Sequence, residues 1–125
     1  MESWSLGVNL GLYDALLQGR KTVDTRAPFP ANPQKDYSRI REGDVLIFHA
    51  VDNNYNRMPE LKYMVSYATA YPSIEKMLEK ESLNDIFPDV GSVEKAVKIW
   101  HSFPAYRERI KRYGIIAIGL GQRLA

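Results

Sequence analysis

The chain contains no cysteine, which excludes disulfides, thiolate catalysis and cysteine-ligated zinc. Its two histidines, His49 and His101, stand far apart in the sequence, and neither a metal nor a cofactor is expected. No apolar run reaches the length of a membrane span, and Met1-Glu2-Ser3-Trp4 does not open a basic region followed by an apolar one. Neither a membrane partner nor a secretory leader is therefore expected, and an intracellular, cytoplasmic setting is the default. An excess of one charge sign is also missing. The net charge of +2 is too small to announce a nucleic-acid binder, and no DNA partner is predicted. Repeats and low-complexity tracts are absent. The 125 residues predict one domain, 1–125, burying roughly two-thirds of the unfolded surface.

What is present is patterned. Trp4 to Val8 alternates as a short half-buried strand, and Leu10, Tyr13, Leu16 and Leu17 fall at helical spacing behind the N-cap candidate Asn9. A proline-rich loop from Ala27 to Glu42 offers Phe29, Lys35 and Tyr37 as ligand contacts, or Phe29 as a plug onto the core. Val45 to Val51 predicts a central strand and Leu61 to Tyr71 a long one, with Tyr63, Val65 and Tyr67 on one face. Ser73 and Ser92 cap helices, the second carrying Val93, Ala96, Val97 and Trp100 as an apolar stripe. Pro104 opens a last helix, and Ile115 to Leu120 closes the chain as a buried strand. His49, ending the central strand, can serve as a general base, but no partner is identifiable for it. A packed, hydrogen-bonded histidine is the ordinary alternative. Charge is uneven: acidic residues dominate from Ser73 to Glu94, whereas Arg107, Arg109, Lys111 and Arg112 make Ala105 to Tyr113 basic.

The stretch Gly19-Arg20-Lys21-Thr22-Val23-Asp24-Thr25-Arg26 changes character in mid-run. A helix ends at Gly19 and a strand begins, with Lys21 and Arg26 flanking the carboxylate of Asp24. A carboxylate can orient two cations and leave donors for an anionic or amide-rich ligand; surface charges that only solvate are the alternative. In an ideal strand, parity separates Lys21 from Asp24, so a twist or bulge near Gly19 is needed to bring them together.

The spacing G-x-K-x-x-D-x-R after Leu16-Leu17-Gln18 resembles the signature of the ASCH family (activating signal cointegrator homology), in which Glu usually stands at the position of Asp24. The Gly43-Asp44 turn and the segment from Ser73 through Glu81 to Pro88 are similar to the family as well, and the likeness runs from about Leu16 to Leu120. It implies an α+β fold: a small PUA-like β-barrel of about five mainly antiparallel strands with flanking helices and a cleft between them. It also implies a role with RNA or a nucleotide- or nucleoside-like ligand. Gly19, Arg20, Lys21, Asp24, Arg26, Lys35 and Tyr37 are then the ligand-binding candidates, with Tyr37 or Phe29 available for stacking. Some ASCH-like proteins are acetylcytidine amidohydrolases and others are similar to ribonucleases, and for an enzyme Lys21, Asp24 and Glu81 are the catalytic candidates. Asp24 replaces the threonine nucleophile of those amidohydrolases, so little such activity is expected, and Asp24→Thr is the change expected to introduce some. A protein-interaction module without a ligand is the remaining alternative.

Overall fold

A computed structural model describes residues 1–125. Five strands, β1 (Ser3–Gly7), β2 (Val23–Arg26), β3 (Val45–His49), β4 (Leu61–Tyr71) and β5 (Ile115–Leu124), form one mixed sheet in the order β1-β3-β4-β5-β2. β1 runs parallel to β3 and every other pairing is antiparallel. The sheet curls into a half-barrel, the small PUA-like α+β architecture expected. Its two edges, β1 and β2, face each other without pairing, and that seam is where the barrel stays open.

Helix α1 (Leu10–Leu17) starts where the Asn9 side chain accepts from the Leu12 N–H at 2.8 Å, satisfying one of the unpaired donors of a first turn. Ser73 and Ser92 cap α2 (Ile74–Leu78) and α4 (Val93–Ser102) in the same way. Between them lies the short α3 (Leu83–Ile86), and after them α5 (Tyr106–Tyr113). No helix is long and apolar enough to cross a membrane.

The continuously apolar run of β5 serves two cores at once. Ile116 and Ile118 join Leu6, Leu46, Phe48 and Val65 inside the half-barrel. Ile115 and Ala117 face the helices, among Met77, Ile86, Trp100 and Ile110. A strand with period two and both faces covered has no polar positions to alternate with.

Several expectations are corrected in detail. The first strand spans Ser3–Gly7 rather than Trp4 to Val8, and β5 continues to Leu124 instead of stopping at Leu120. Tyr67 does not share the buried face of Tyr63 and Val65: register shifts on either side of Val65 break the alternation, and Tyr67 lies with its ring over Gly119. Val93 is exposed, so the stripe of α4 rests on Ala96 and Trp100. The last helix begins at Tyr106, after Ala105 in a left-handed conformation, rather than at Pro104. The long loop holds two short 3-10 turns, Pro33–Lys35 and Tyr37–Arg39.

Candidate functional site: the seam cleft

After α1 the chain reverses at Gly19, whose φ of 75° lies in the left-handed region that side chains disfavour. The reversal lets the N–H groups of both Arg20 and Lys21 donate to the Ala15 carbonyl, at 2.9 and 3.2 Å. Lys21 therefore precedes β2, and strand parity does not govern its side chain. The obstacle that parity raises between Lys21 and Asp24 is removed by this turn.

Within β2, Asp24 stands opposite Ile118 and Arg26 opposite Ile116. Directly opposed residues share a face, so the carboxylate and guanidinium lie on the side of the barrel interior. Thr25 faces the helices, where its Oγ accepts from the Trp100 indole N–H at 2.9 Å.

Three charges interlock here. Arg26 Nε donates to Asp24 Oδ2 at 2.7 Å, and Lys21 Nζ lies 3.5 Å from Asp24 Oδ1. Lys21 also donates to the carbonyls of Val23 and Ile86, at 2.7 and 2.8 Å. An ammonium has three donors, and these partners take all of them. Arg26 uses a further donor on the Gly7 carbonyl at 3.1 Å, so one side chain of β2 reaches across the seam to the end of β1. A guanidinium has five donors; Arg26 keeps unspent ones, and its side chain is 14% exposed against 1% for Lys21 and 5% for Asp24.

The electrostatics follow from burial and pairing. Burial lowers Lys21, Asp24 opposes that less strongly, and the ammonium comes down to about 8. Asp24 pulls toward the charged form and desolvation outweighs that pull, yet at about 8 the ammonium is still mostly charged near neutral pH. For Asp24 itself burial raises the pKa, yet Arg26 and Lys21 together hold it below the usual carboxylate range. Arg26 is raised because Asp24 outweighs its own desolvation.

These residues line a cleft of about 510 Å³ at the seam. One wall is the chain leaving β1, with Gly7 and Asn9. Phe103, Tyr106 and Arg109 make the opposite wall, and Lys35 and Tyr37 enter from the loop. Burial raises the Tyr106 phenol, against the opposing pull of Arg26, so it stays a neutral donor and acceptor. Arg109 donates to the carbonyls of Ala27 and Pro28 and lies 5.1 Å from the Tyr106 ring centroid.

Of the residues singled out in the sequence, Lys21, Asp24, Arg26, Lys35 and Tyr37 meet in this cleft, whereas Gly19, Arg20 and Glu81 do not. Gly19 makes the turn. Arg20 lines a neighbouring groove of about 450 Å³, paired to Asp89 at 2.5 Å and to Gln18. Glu81 follows α2 and accepts from the hydroxyls of Tyr67 and Tyr71, at 2.5 and 2.9 Å. Tyr67 and Tyr71 are four apart on β4 and so share a face. The expectation that Glu81 joins Lys21 and Asp24 is thus corrected. Phe29 packs against the Arg109 guanidinium, 5.4 Å from its ring centroid, and is not part of the lining.

Sequence reasoning missed Asn9, Phe87, Phe103 and Tyr106 as cleft residues. Arg109 lay in the basic run, which was the one signal available, though nothing in that run distinguished it from Arg107 or Arg112.

No family profile matches the sequence, and no curated protein does. Among solved structures the chain is similar to hypothetical protein PH0355, known from a crystal structure, with a TM-score of 0.75 and 28% identity over 98% of this chain and 99% of that one. It is also similar to protein PF0455 from Pyrococcus furiosus, solved by NMR, with a TM-score of 0.68 and 26% identity over 98% of this chain and 97% of the other. The likeness therefore extends over the whole half-barrel and its helices, including every element that builds the cleft.

Proposed function

We propose that the chain is an ASCH-like protein that binds RNA or a nucleotide-like ligand in the seam cleft. The observation that carries this reading is Arg26: a largely buried guanidinium, fixed by Asp24 and Gly7, with unspent donors at an opening walled by Tyr37 and Tyr106. Lys21, Arg26, Lys35 and Arg109 stand against the single carboxylate of Asp24, which favours an anionic ligand. A fixed guanidinium suits phosphate, and aromatic walls suit a base. The volume of about 510 Å³ falls in the range of small-molecule sites. Lys21, with every donor committed, shapes the site rather than touching the ligand.

Calorimetric titration with nucleoside monophosphates and short single-stranded RNA at low salt tests the reading. Binding in the micromolar range is expected, weakened by Arg26→Lys and by Lys35→Ala. Lys35 is exposed, so its loss leaves the fold intact. Absence of binding by the native chain at micromolar protein would overturn the proposal.

Hydrolysis has one observation in its favour, the lowering of Lys21 to about 8, which moves a lysine toward use as a base. Against it stand the distant Glu81 and a Thr25 whose oxygen is engaged by Trp100. Asp24→Thr places a hydroxyl beside Lys21 and removes its counter-charge, and this variant, not the native chain, is expected to release acetate from acetylcytidine. Equal release by both proteins would refute that expectation.

A further inference from the structure

On the outer face of the sheet, away from the charged trio, three side chains from three segments form a relay. Ser5 of β1 has its Oγ 2.5 Å from Nε2 of His49, the last residue of β3. The other ring nitrogen, Nδ1, lies 3.2 Å from Oε2 of Glu60, which immediately precedes β4. The Glu60 carboxylate beside Nδ1 favours the hydrogen on that nitrogen by its charge, which leaves Nε2 as the acceptor for the serine hydroxyl. We infer that Ser5, His49 and Glu60 form a second, nucleophilic site that hydrolyses small, unhindered acyl esters.

The sheet register explains why the three converge. His49 is paired with Gly7 and Ser5 with Ile47, so the imidazole and the hydroxyl are diagonal neighbours on one face. Gly7 puts no side chain beside the ring, and space around it is open. Ser5 is exposed and the His49 side chain is 30% exposed, so an ester can reach the hydroxyl. The Val8 N–H donates to His49 and the Val45 N–H to Glu2. By the alternation of a parallel ladder, the N–H groups of Ser5 and Gly7 then point to the free edge. The unpaired N–H of Ser5 is a donor for the oxyanion that develops beside its own hydroxyl.

In the first step Ser5 Oγ attacks the acyl carbon while its proton passes to His49 Nε2, and the Glu60 carboxylate beside Nδ1 stabilises the imidazolium by its charge. The bond to the leaving alkoxide breaks, the alkoxide takes the proton from Nε2, and an acyl-Ser5 ester remains. Water then attacks that ester, giving its proton to Nε2, and the serine oxygen leaves and recovers it. Neither the seam cleft nor its neighbouring groove includes Ser5, His49 or Glu60, so small activated esters, which need little binding, are the class it takes.

The test is p-nitrophenyl acetate hydrolysis, together with intact-mass and peptide mapping after treatment with a small fluorophosphonate, which phosphonylates a nucleophilic serine with loss of fluoride. The native chain should turn over the ester and carry one label on Ser5. Ser5→Ala and His49→Gln should each fall to the buffer rate and remain unlabelled. Glu60→Gln should lose roughly tenfold or more, and Ser66→Ala, at an exposed serine of β4, should match the native chain. Circular dichroism melts of each variant report folding. Turnover that survives in Ser5→Ala, a label on another residue, or a native chain that shows neither turnover nor label would each overturn the inference; in the last case the relay is a strap that ties β1 to β3.

Discussion

Lys21 shows how one residue can be costly and still hold a site together. The residue is 3% exposed, and two carbonyls and Asp24 replace the water of its ammonium. The descent from 10.5 to about 8 corresponds to roughly 3 kcal/mol by which the site as a whole, burial less the opposing pull of Asp24, disfavours the charged form. Because the folded value lies below the unfolded one, the unfolded chain binds more protons between those two pH values, and stability rises with pH there. Below pH 8 the group is charged in both states and the cost is present in full. Asp24 has the same sign of pH dependence but a favourable contribution: its lowered pKa contributes stability above the ordinary carboxylate range that is lost as the pH falls through the folded value. Lys21→Met keeps the volume and removes the titration. Between pH 8 and about 9.5 the native chain should gain close to 1 kcal/mol per pH unit relative to that variant, read from urea midpoints. Tyr67, pushed well above the usual phenol value by burial and by Glu81, works against stability only above the ordinary tyrosine range near 10. Parallel pH profiles for the two proteins would show that Lys21 does not titrate with folding.

Whether an element was legible in the sequence depended on how local its causes are. The starts of α1, α2 and α4 follow from Asn9, Ser73 and Ser92, each acting on an N–H three residues away. The two-sided burial of β5 was readable from its unbroken apolar run. The parallel pairing of β1 with β3, the bulges around Val65 and the reach of Arg26 to Gly7 depend on residues far apart in the chain. No periodicity encodes them. For the same reason Glu81 could be placed on a segment but not on a side of the sheet, and His49 was visible without Ser5 and Glu60. Gly114 joins α5 to β5 by a local cause that is easy to overlook. Its φ of 81° and ψ of −160° belong to a region open essentially to glycine alone. An added Cβ would also meet the Tyr71 carbonyl oxygen at 2.3 Å. Gly114→Ala should therefore cost about 3 kcal/mol, seen as a lower urea midpoint with an unchanged slope. A variant as stable as the native chain would mean that the helix-to-strand junction can shift to relieve both conflicts.

On the scale of the whole molecule, the half-barrel concentrates what a modest composition dilutes. A net charge of +2 gives little long-range attraction for a polyanion, so under the proposed RNA-binding function selectivity has to come from the few cations the seam gathers. Arg26, Lys35 and Arg109 are the cleft cations with donors or exposure to spare, since Lys21 is fully engaged. Each phosphate contact to a single strand contributes about −0.7 to the slope of log K against log salt. Three contacts therefore predict a slope of about −2 for a short single-stranded RNA, and Lys35→Ala should reduce its magnitude by about 0.7. The exposed face of α5, with Arg107, Lys111 and Arg112, supplies the contrast. If the strand lay across that face as well, the slope would approach −4, and a double substitution of Arg107 and Lys111 by alanine would weaken RNA while leaving a mononucleotide unaffected. A slope near −2 that is insensitive to the α5 variant confines the ligand to the seam, where the two unpaired edges of the sheet and one arginine between them define its place.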